Sequence, residues 1–216
     1  MIRFFDVVFS LLAIIIFSPL LLACIIILRF TGEGEIFYLQ QRIGKNEMPF
    51  GLIKFATMVK NSEKIGAGTI TVRNDPRVLP FGKLLRISKI NELPQLFNIL
   101  KGDMSVIGPR PLLIKQFSMY QKKDREIISS VCPGLSGVGS IIFRDEEKLL
   151  SESENPHEFY EKKITPYKAY LETWFVKNFG IYMYFKIIIV TVIAILFKFK
   201  HPEKLISKDL EGMNDY

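Results

Sequence analysis

The stretch Ser88–Pro111, "SKINELPQLFNILKGDMSVIGPRP", decides how this chain folds and where its chemistry sits. Leu93, Leu96, Phe97 and Leu100 recur at helical spacing, so a short helix with that face buried is expected. Asn91 suits its N-cap, and Pro94 then falls in the first turn, where a missing N–H matters least. Glu92 is thereby expected at a helix N-terminus, where free amides and the dipole keep a carboxylate ionised and favour phosphate. Beyond the helix, Gly102 and Gly108 lead into Pro109-Arg110-Pro111. An arginine fixed between two prolines aims a planar guanidinium at phosphate oxygens with little entropy left to lose. Arg86 lies close enough in sequence to reach the same place. A carboxylate able to hold Mg²⁺ or act on phosphorus, backed by two arginines, is a kit for phosphoryl transfer by positioning and electrostatics. Taken singly, the same residues also read as a capped helix, a Gly-Pro turn and surface arginines.

On the N-terminal side, Phe4–Phe30 reads "FFDVVFSLLAIIIFSPLLLACIIILRF". From Val7 to Leu28 nothing is charged, a run of about 33 Å as a helix and enough to cross a bilayer. "RFTGEGEIFY" follows as resuming folded protein, with no small-x-small cleavage site. Ser18-Pro19 interrupts the run. Pro19 removes a backbone donor and calls for a kink, and the Ser18 hydroxyl can serve a freed carbonyl. Two arrangements fit: a kinked spanning helix, or a helix-break-helix hairpin that keeps Arg3 and Arg29 on one side. A second apolar run, Phe179–Phe199, is broken by Lys186. Its longest clean piece, Ile187–Phe197, covers only about 17 Å, which suits an interfacial helix with Lys186, Lys198 and Lys200 reaching for headgroups. A buried core helix is the alternative.

Hydrophobic residues make up 49% of the 216, so with these two runs set aside the remainder is an ordinary soluble composition. The net charge of +7 suits a phosphate-rich partner: nucleotide, anionic membrane or nucleic acid. Nucleic acid is disfavoured because the lysines are scattered and no aromatic-basic platform is present. Cys24 and Cys132 read as free thiols, and two histidines make a His/Cys zinc site improbable, leaving a hard ion on carboxylates.

Between the apolar runs, Ile36–Gln41 and Phe50–Met58 are expected as strands joined by the turn-rich "IGKNEMPFG". Gly82–Ile87 reads as a short helix, Lys115–Val131 as one amphipathic helix, and "CPGLSGVGS" as a glycine-permitted loop. Glu146–Leu150 and Asn155–Trp174 read as helical, with Pro166 forcing a second start or a kink. The expected fold is therefore α-rich α+β. A membrane segment over 1–30, either a kinked span or a hairpin, is followed by one compact domain over 31–178 with a small β-hairpin. An interfacial helix over 179–200 and a polar C-terminal tail over 201–216 complete it.

These strings together resemble the bacterial sugar transferase family, the monotopic polyprenyl-phosphate phosphoglycosyl transferases. "INELPQLFNILKGDMSVIGPRP" is similar to the family signature, and "FDVVFSLLAIIIFSPLLL", "QQRIGKNEMPFGLIKFATM", "DPRVLPFGKLLR", "PGLSGVGS" and "VKNFGIYMYFKII" match its other landmarks in order. The resemblance implies a re-entrant membrane helix broken at Ser18-Pro19. It implies transfer of a sugar-1-phosphate from a UDP-sugar to undecaprenyl phosphate, with UMP released and Mg²⁺ required. The place would be the cytoplasmic face of the bacterial inner membrane, at the first membrane step of polysaccharide or glycoconjugate synthesis. It gives Glu92 the acidic, Mg²⁺-binding role and assigns phosphate and nucleotide binding to Arg86, Arg110, Pro109, Pro111 and Lys54. Glu172 and Arg144 stand as supporting groups, and a homodimer is the oligomer considered. Asn91 stands where most members carry an aspartate nucleophile, and an amide cannot form an acyl phosphate. Glu92 acting in its place, direct attack by lipid phosphate, and a catalytically silent binding module that recruits a partner all remain open.

Overall fold

The computed structural model of the chain describes residues 1–62, 75–151, 153–197, 202–208, 210 and 212. Helix α1 (Ile2–Phe30) runs unbroken through Pro19, so no loop divides it into two helices. Pro19 leaves the carbonyl four residues earlier without its usual donor, and the Ser18 hydroxyl supplies one, bonding Ile15 O at 2.8 Å. This helix is long and apolar enough to cross a membrane by length and composition. One side is open, with Leu12, Ile15, Ile16 and Leu22 more than half exposed. The other side is docked on the rest of the protein along its length. Arg3 donates to the carbonyls of Ile99 and Leu100, Ala13 and Ile14 pack beside Leu96 and Ile99, and Leu21, Cys24 and Leu28 bury against Phe55 and Leu85.

The expected β-hairpin is present as β1 (Phe37–Ile43) and β2 (Pro49–Phe55), antiparallel with Tyr38 opposite Lys54 and Arg42 opposite Phe50. β2 ends at Phe55, short of Met58, which instead bridges Val78. Next come α2 (Pro80–Ile87), a single 3-10 turn at Ile90–Glu92 and α3 (Gln95–Lys101). Here the sequence expectation needs correction. Lys89 adopts a left-handed conformation (φ 60°) that turns the chain out of α2, so Ile90–Glu92 closes its own turn and Pro94, not Asn91, caps α3. The buried face of α3 is Leu96 and Ile99, while Phe97 is exposed. Buried Asn98 accordingly faces inward and stitches α3 to β2, accepting from Ile53 N and donating to Gly51 O.

Strand β3 (Ser105–Ile107) pairs in parallel with β4 (Gly134–Ser136), which lies inside the segment expected as a loop. The two backbones touch: a Cβ on Gly134 would collide with Gly108 N. The single helix expected over Lys115–Val131 is two, α4 (Ile114–Phe117) and α5 (Lys122–Ile128). After α6 (Val138–Ile142) and α7 (Glu146–Ser151), α8 (Pro156–Phe159) passes through a π turn at Tyr160–Ile164 into α9 (Thr165–Lys177), with Pro166 in its first turn. Helix α10 (Ile181–Leu196) buries Tyr184, Ile187 and Val190 against α6 and α9. Lys198 and Lys200 lie outside the described residues. The segment expected as a polar tail carries α11 (Glu203–Ile206), and Ile206 and Leu210 are fully buried in the main core.

Asp6 ties α1 to this core. Its Oδ1 accepts from Ser105 Oγ, Val106 N and Tyr184 OH at 2.8, 2.8 and 2.9 Å, joining α1, β3 and α10 at one buried carboxylate.

Candidate active site

Three pieces of backbone bring Arg42, Lys54 and Arg110 to Glu92, and a fourth brings Arg86 to the side of Lys54. Arg42 and Lys54 project from the same face of the β1–β2 hairpin, because residues 38, 40 and 42 lie opposite 54, 52 and 50. Arg86 comes from the last turn of α2, and Arg110 from the loop after β3. Lys54 Nζ stands 3.8 Å, and Arg110 Nη2 3.9 Å, from Glu92 Oε1. Arg86 Nη1 reaches Thr57 Oγ1 at 3.5 Å, next to the Lys54 strand. Arg42 is clamped by Gln40 Oε1 and by the Pro111 carbonyl.

The electrostatics follow from crowding. Burial alone would push the Glu92 carboxyl up, but the Arg110, Lys54, Lys89 and Arg42 charges outweigh it and hold the group below the usual carboxylate range. Burial, with Arg110, Arg42 and Arg86 as like charges, brings Lys54 down to about 8 despite Glu92. Burial and Arg110 bring Arg42 down to about 10. With Arg110, Lys54, Lys89 and Arg42 acting on one carboxylate and Arg86 acting on Lys54, the cluster carries surplus positive charge, to which a polyphosphate is drawn.

Behind Arg110 lies a second layer. Its backbone N–H donates to Glu172 Oε1 at 3.2 Å, and the other carboxyl oxygen, Oε2, is buried without a partner. Burial pushes this carboxyl up to about 7, against the Arg110 amide and Lys168, which favour its charge. Lys168 is in turn paired with Glu146 at 2.7 Å and lies over the Phe143 and Tyr160 rings.

The structure thus gathers Glu92, Lys54, Arg86, Arg110 and Glu172, with Pro111 as a carbonyl partner of Arg42 and Pro109 bonded through its carbonyl to Gly134 N. Asn91 is not the helix cap: it is buried, and its Oδ1 has no hydrogen-bond partner. Glu92 owes its ionisation to cations rather than to a helix terminus. Arg144 is drawn elsewhere, donating to the Ala194 carbonyl at the end of α10. Sequence reasoning missed Arg42 and Tyr160. Arg42 had a signal, two residues from Gln40 on the same strand face; Tyr160 had none beyond a tyrosine in a helix.

The sequence pattern of bacterial sugar transferases matches residues 1–198. The chain belongs to the bacterial sugar transferase family. It is 35% identical over 204 residues to the UDP-N-acetylgalactosamine-undecaprenyl-phosphate N-acetylgalactosaminephosphotransferase of Aeromonas hydrophila, covering 90% of this chain and 43% of that one. It is 30% identical over 210 residues to the undecaprenyl-phosphate galactose phosphotransferase of Salmonella typhimurium, covering 91% and 39%. With the sugar transferase EpsL of Bacillus subtilis the identity is 32% over 194 residues, covering 90% and 86%. The chain therefore spans under half the length of the first two relatives and most of the third. The cluster around Glu92 lies wholly within the residues that the family pattern matches.

Proposed function

We propose that the chain transfers a sugar-1-phosphate from a UDP-sugar to undecaprenyl phosphate and releases UMP, initiating a polysaccharide or glycoconjugate. The observation that carries this reading is the ionised Glu92 carboxylate set among Lys54, Arg42 and Arg110, with Arg86 beside Lys54. The diphosphate of the donor is drawn to the surplus cations. Arg110 and Lys54, the two nearest Glu92, orient the phosphorus toward its carboxylate. The names of the relatives support both substrates.

Mg²⁺ suits the donor atoms present. Glu92 offers a carboxylate oxygen and Asn91 a buried amide oxygen that lacks a partner. Among the described residues no three acidic, His or Cys side chains gather into a metal site, which fits an ion that takes most of its ligands from substrate phosphates and water. When bound, it offsets the charge of the transferring phosphoryl group.

Of the neighbouring pair only Glu92 has a carboxylate that can act on phosphorus; Asn91 has none to offer. If Glu92 attacks, an Oε–P bond forms as the P–O bond to UMP breaks, and a lipid phosphate oxygen then displaces the carboxylate. If the lipid attacks directly, Glu92 only orients and counters charge. The second reading, a silent membrane-bound module that binds UDP-sugar or polyprenyl phosphate, rests on Asn91 alone.

The two docked ends of α1 support a re-entrant membrane arrangement. Arg3 and Asp6 fix the N-terminal end to α3, β3 and α10, while Leu28 fixes the other to β2 and α2. Both ends on one domain favour a helix that enters and leaves by the cytoplasmic face of the inner membrane, bent at Pro19, with α10 lying at the interface. The lipid acceptor's phosphate stays at headgroup depth, so a domain held there meets it. The deciding assay is UMP release from a panel of UDP-sugars, with undecaprenyl phosphate and Mg²⁺ in nanodiscs. Absence of turnover with every donor, restored by Asn91→Asp, would assign the silent module instead.

A further inference from the structure

We propose that Glu172 is a positioning residue for the phosphate grip, fixing the loop that aims Arg110 at Glu92, and that Gly139 is the residue that leaves it room. The inference rests on the phosphate-binding reading of the Glu92 cluster. Its ground is geometric. Arg110 sits in the turn between β3 and α4, where no helix or strand holds its backbone. Its N–H is held by a side chain from α9, Glu172 Oε1, at 3.2 Å. Donation to a buried carboxyl oxygen fixes that amide, and through it the origin of the Arg110 side chain whose Nη2 lies 3.9 Å from Glu92.

Room for that carboxyl exists because α6 presents Gly139: a Cβ there would collide with Glu172 Oε1. The charged and titratable groups facing Glu172 come from three directions. Arg110 faces it from the β3–α4 loop, Lys168 from the preceding turn of α9, and Tyr120 from the turn before α5. Lys168 is committed to Glu146, and Tyr120 stays neutral because burial, with Glu172 and Tyr160 nearby, pushes its phenol well above the usual value. The unpartnered Oε2 has no structural task, whereas Oε1 has one, so an amide should serve nearly as well as the acid.

Two readouts test this on the full chain in detergent micelles: hydrogen exchange at the Arg110 amide, and the affinity for UDP by calorimetry. Glu172→Ala is expected to speed exchange at that amide at least tenfold and to weaken UDP binding about tenfold. Glu172→Gln, which keeps the accepting oxygen, is expected to recover most of both losses. Should Glu172→Ala fail to fold, Glu172→Asp withdraws the oxygen by one methylene and Gly139→Ala displaces it, and each is expected to give the same pair of changes. Slow exchange at Arg110 in the Ala or Asp variant overturns the proposal. So does fast exchange with unchanged UDP affinity, or a wild-type chain that does not bind UDP. A wild-type chain that binds UDP but releases no UMP from any donor sinks the transferase reading and leaves these two readouts to judge Glu172.

Discussion

Lys54 Nζ and Glu92 Oε1 lie 3.8 Å apart, close enough for attraction and too far for a tight hydrogen-bonded pair. The separation leaves both groups able to turn toward a third party. Arg110 repeats the relation at 3.9 Å from the same oxygen. A carboxylate held ionised but not neutralised at contact distance is a group kept available.

Replacing Glu92 by Gln removes the charge and keeps the shape. Loss of UMP release by at least about 100-fold is expected, in line with removal of a group acting on developing charge. The melting temperature should fall modestly, since Arg110, Lys54, Lys89 and Arg42 lose the charge that offsets them. Labelled UMP exchanging into UDP-sugar without lipid would assign attack by Glu92; turnover without exchange would assign direct attack.

The Lys54 ammonium, brought down to about 8 by burial, loses its charge above that pH. The KM for UDP-sugar should therefore rise as pH climbs through 8, with Lys54→Arg moving the rise to higher pH. An arriving diphosphate favours the protonated form, so UDP binding at pH 8 should take up protons. Calorimetry in two buffers of different ionisation enthalpy measures this directly.

Glu172 gives a pH dependence of the opposite kind. Its folded value, about 7, lies above the ordinary 4.5 because burial disfavours the anion. Between those values the folded state holds a proton that the unfolded chain has released, so stability falls as pH rises from about 4.5 to 7. Glu172→Gln should flatten that segment of the curve in thermal unfolding at a series of pH values.

Asp6→Ala would strand three buried donors, on Ser105, Val106 and Tyr184. A loss of about 3 kcal/mol or more is expected from leaving such groups unpaired. Tyr184→Phe, which removes only one of the three bonds, should cost about 1 kcal/mol. Unfolding in micelles separates the two.

On the proposed re-entrant arrangement, a cysteine beside Met1 should react only with reagents applied from the cytoplasmic side, because Arg3 is bonded to α3. Labelling from the outer side would place the N-terminal end across the bilayer and overturn the re-entrant arrangement.

Much of this was legible in the residues. The hairpin turn was carried by "IGKNEMPFG", and the short helix read over Gly82–Ile87 is present as Pro80–Ile87. Glu92, Arg86 and Arg110 were picked out by chemistry within a short span, and Lys54 by its place in a motif. What failed had local causes. A left-handed Lys89 cannot be read from a lysine, and it moved the cap from Asn91 to Pro94. "CPGLSGVGS" looks like a loop because its glycines dominate, yet they are what lets β4 lie against Gly108. Glu172 meets Arg110 only through the tertiary fold, from 62 residues away, so no spacing rule announces the contact.

Ile206 and Leu210 have a practical bearing on how the chain is trimmed. The family pattern stops at residue 198, but these two side chains plug the same interior that holds Tyr167 and Ile187. Ending expression at that limit would uncork it and bare a greasy hollow beside α6 and α10. Purified material cut there should be stickier and softer than the 216-residue chain, with its chemistry untouched in sequence and its scaffold breached.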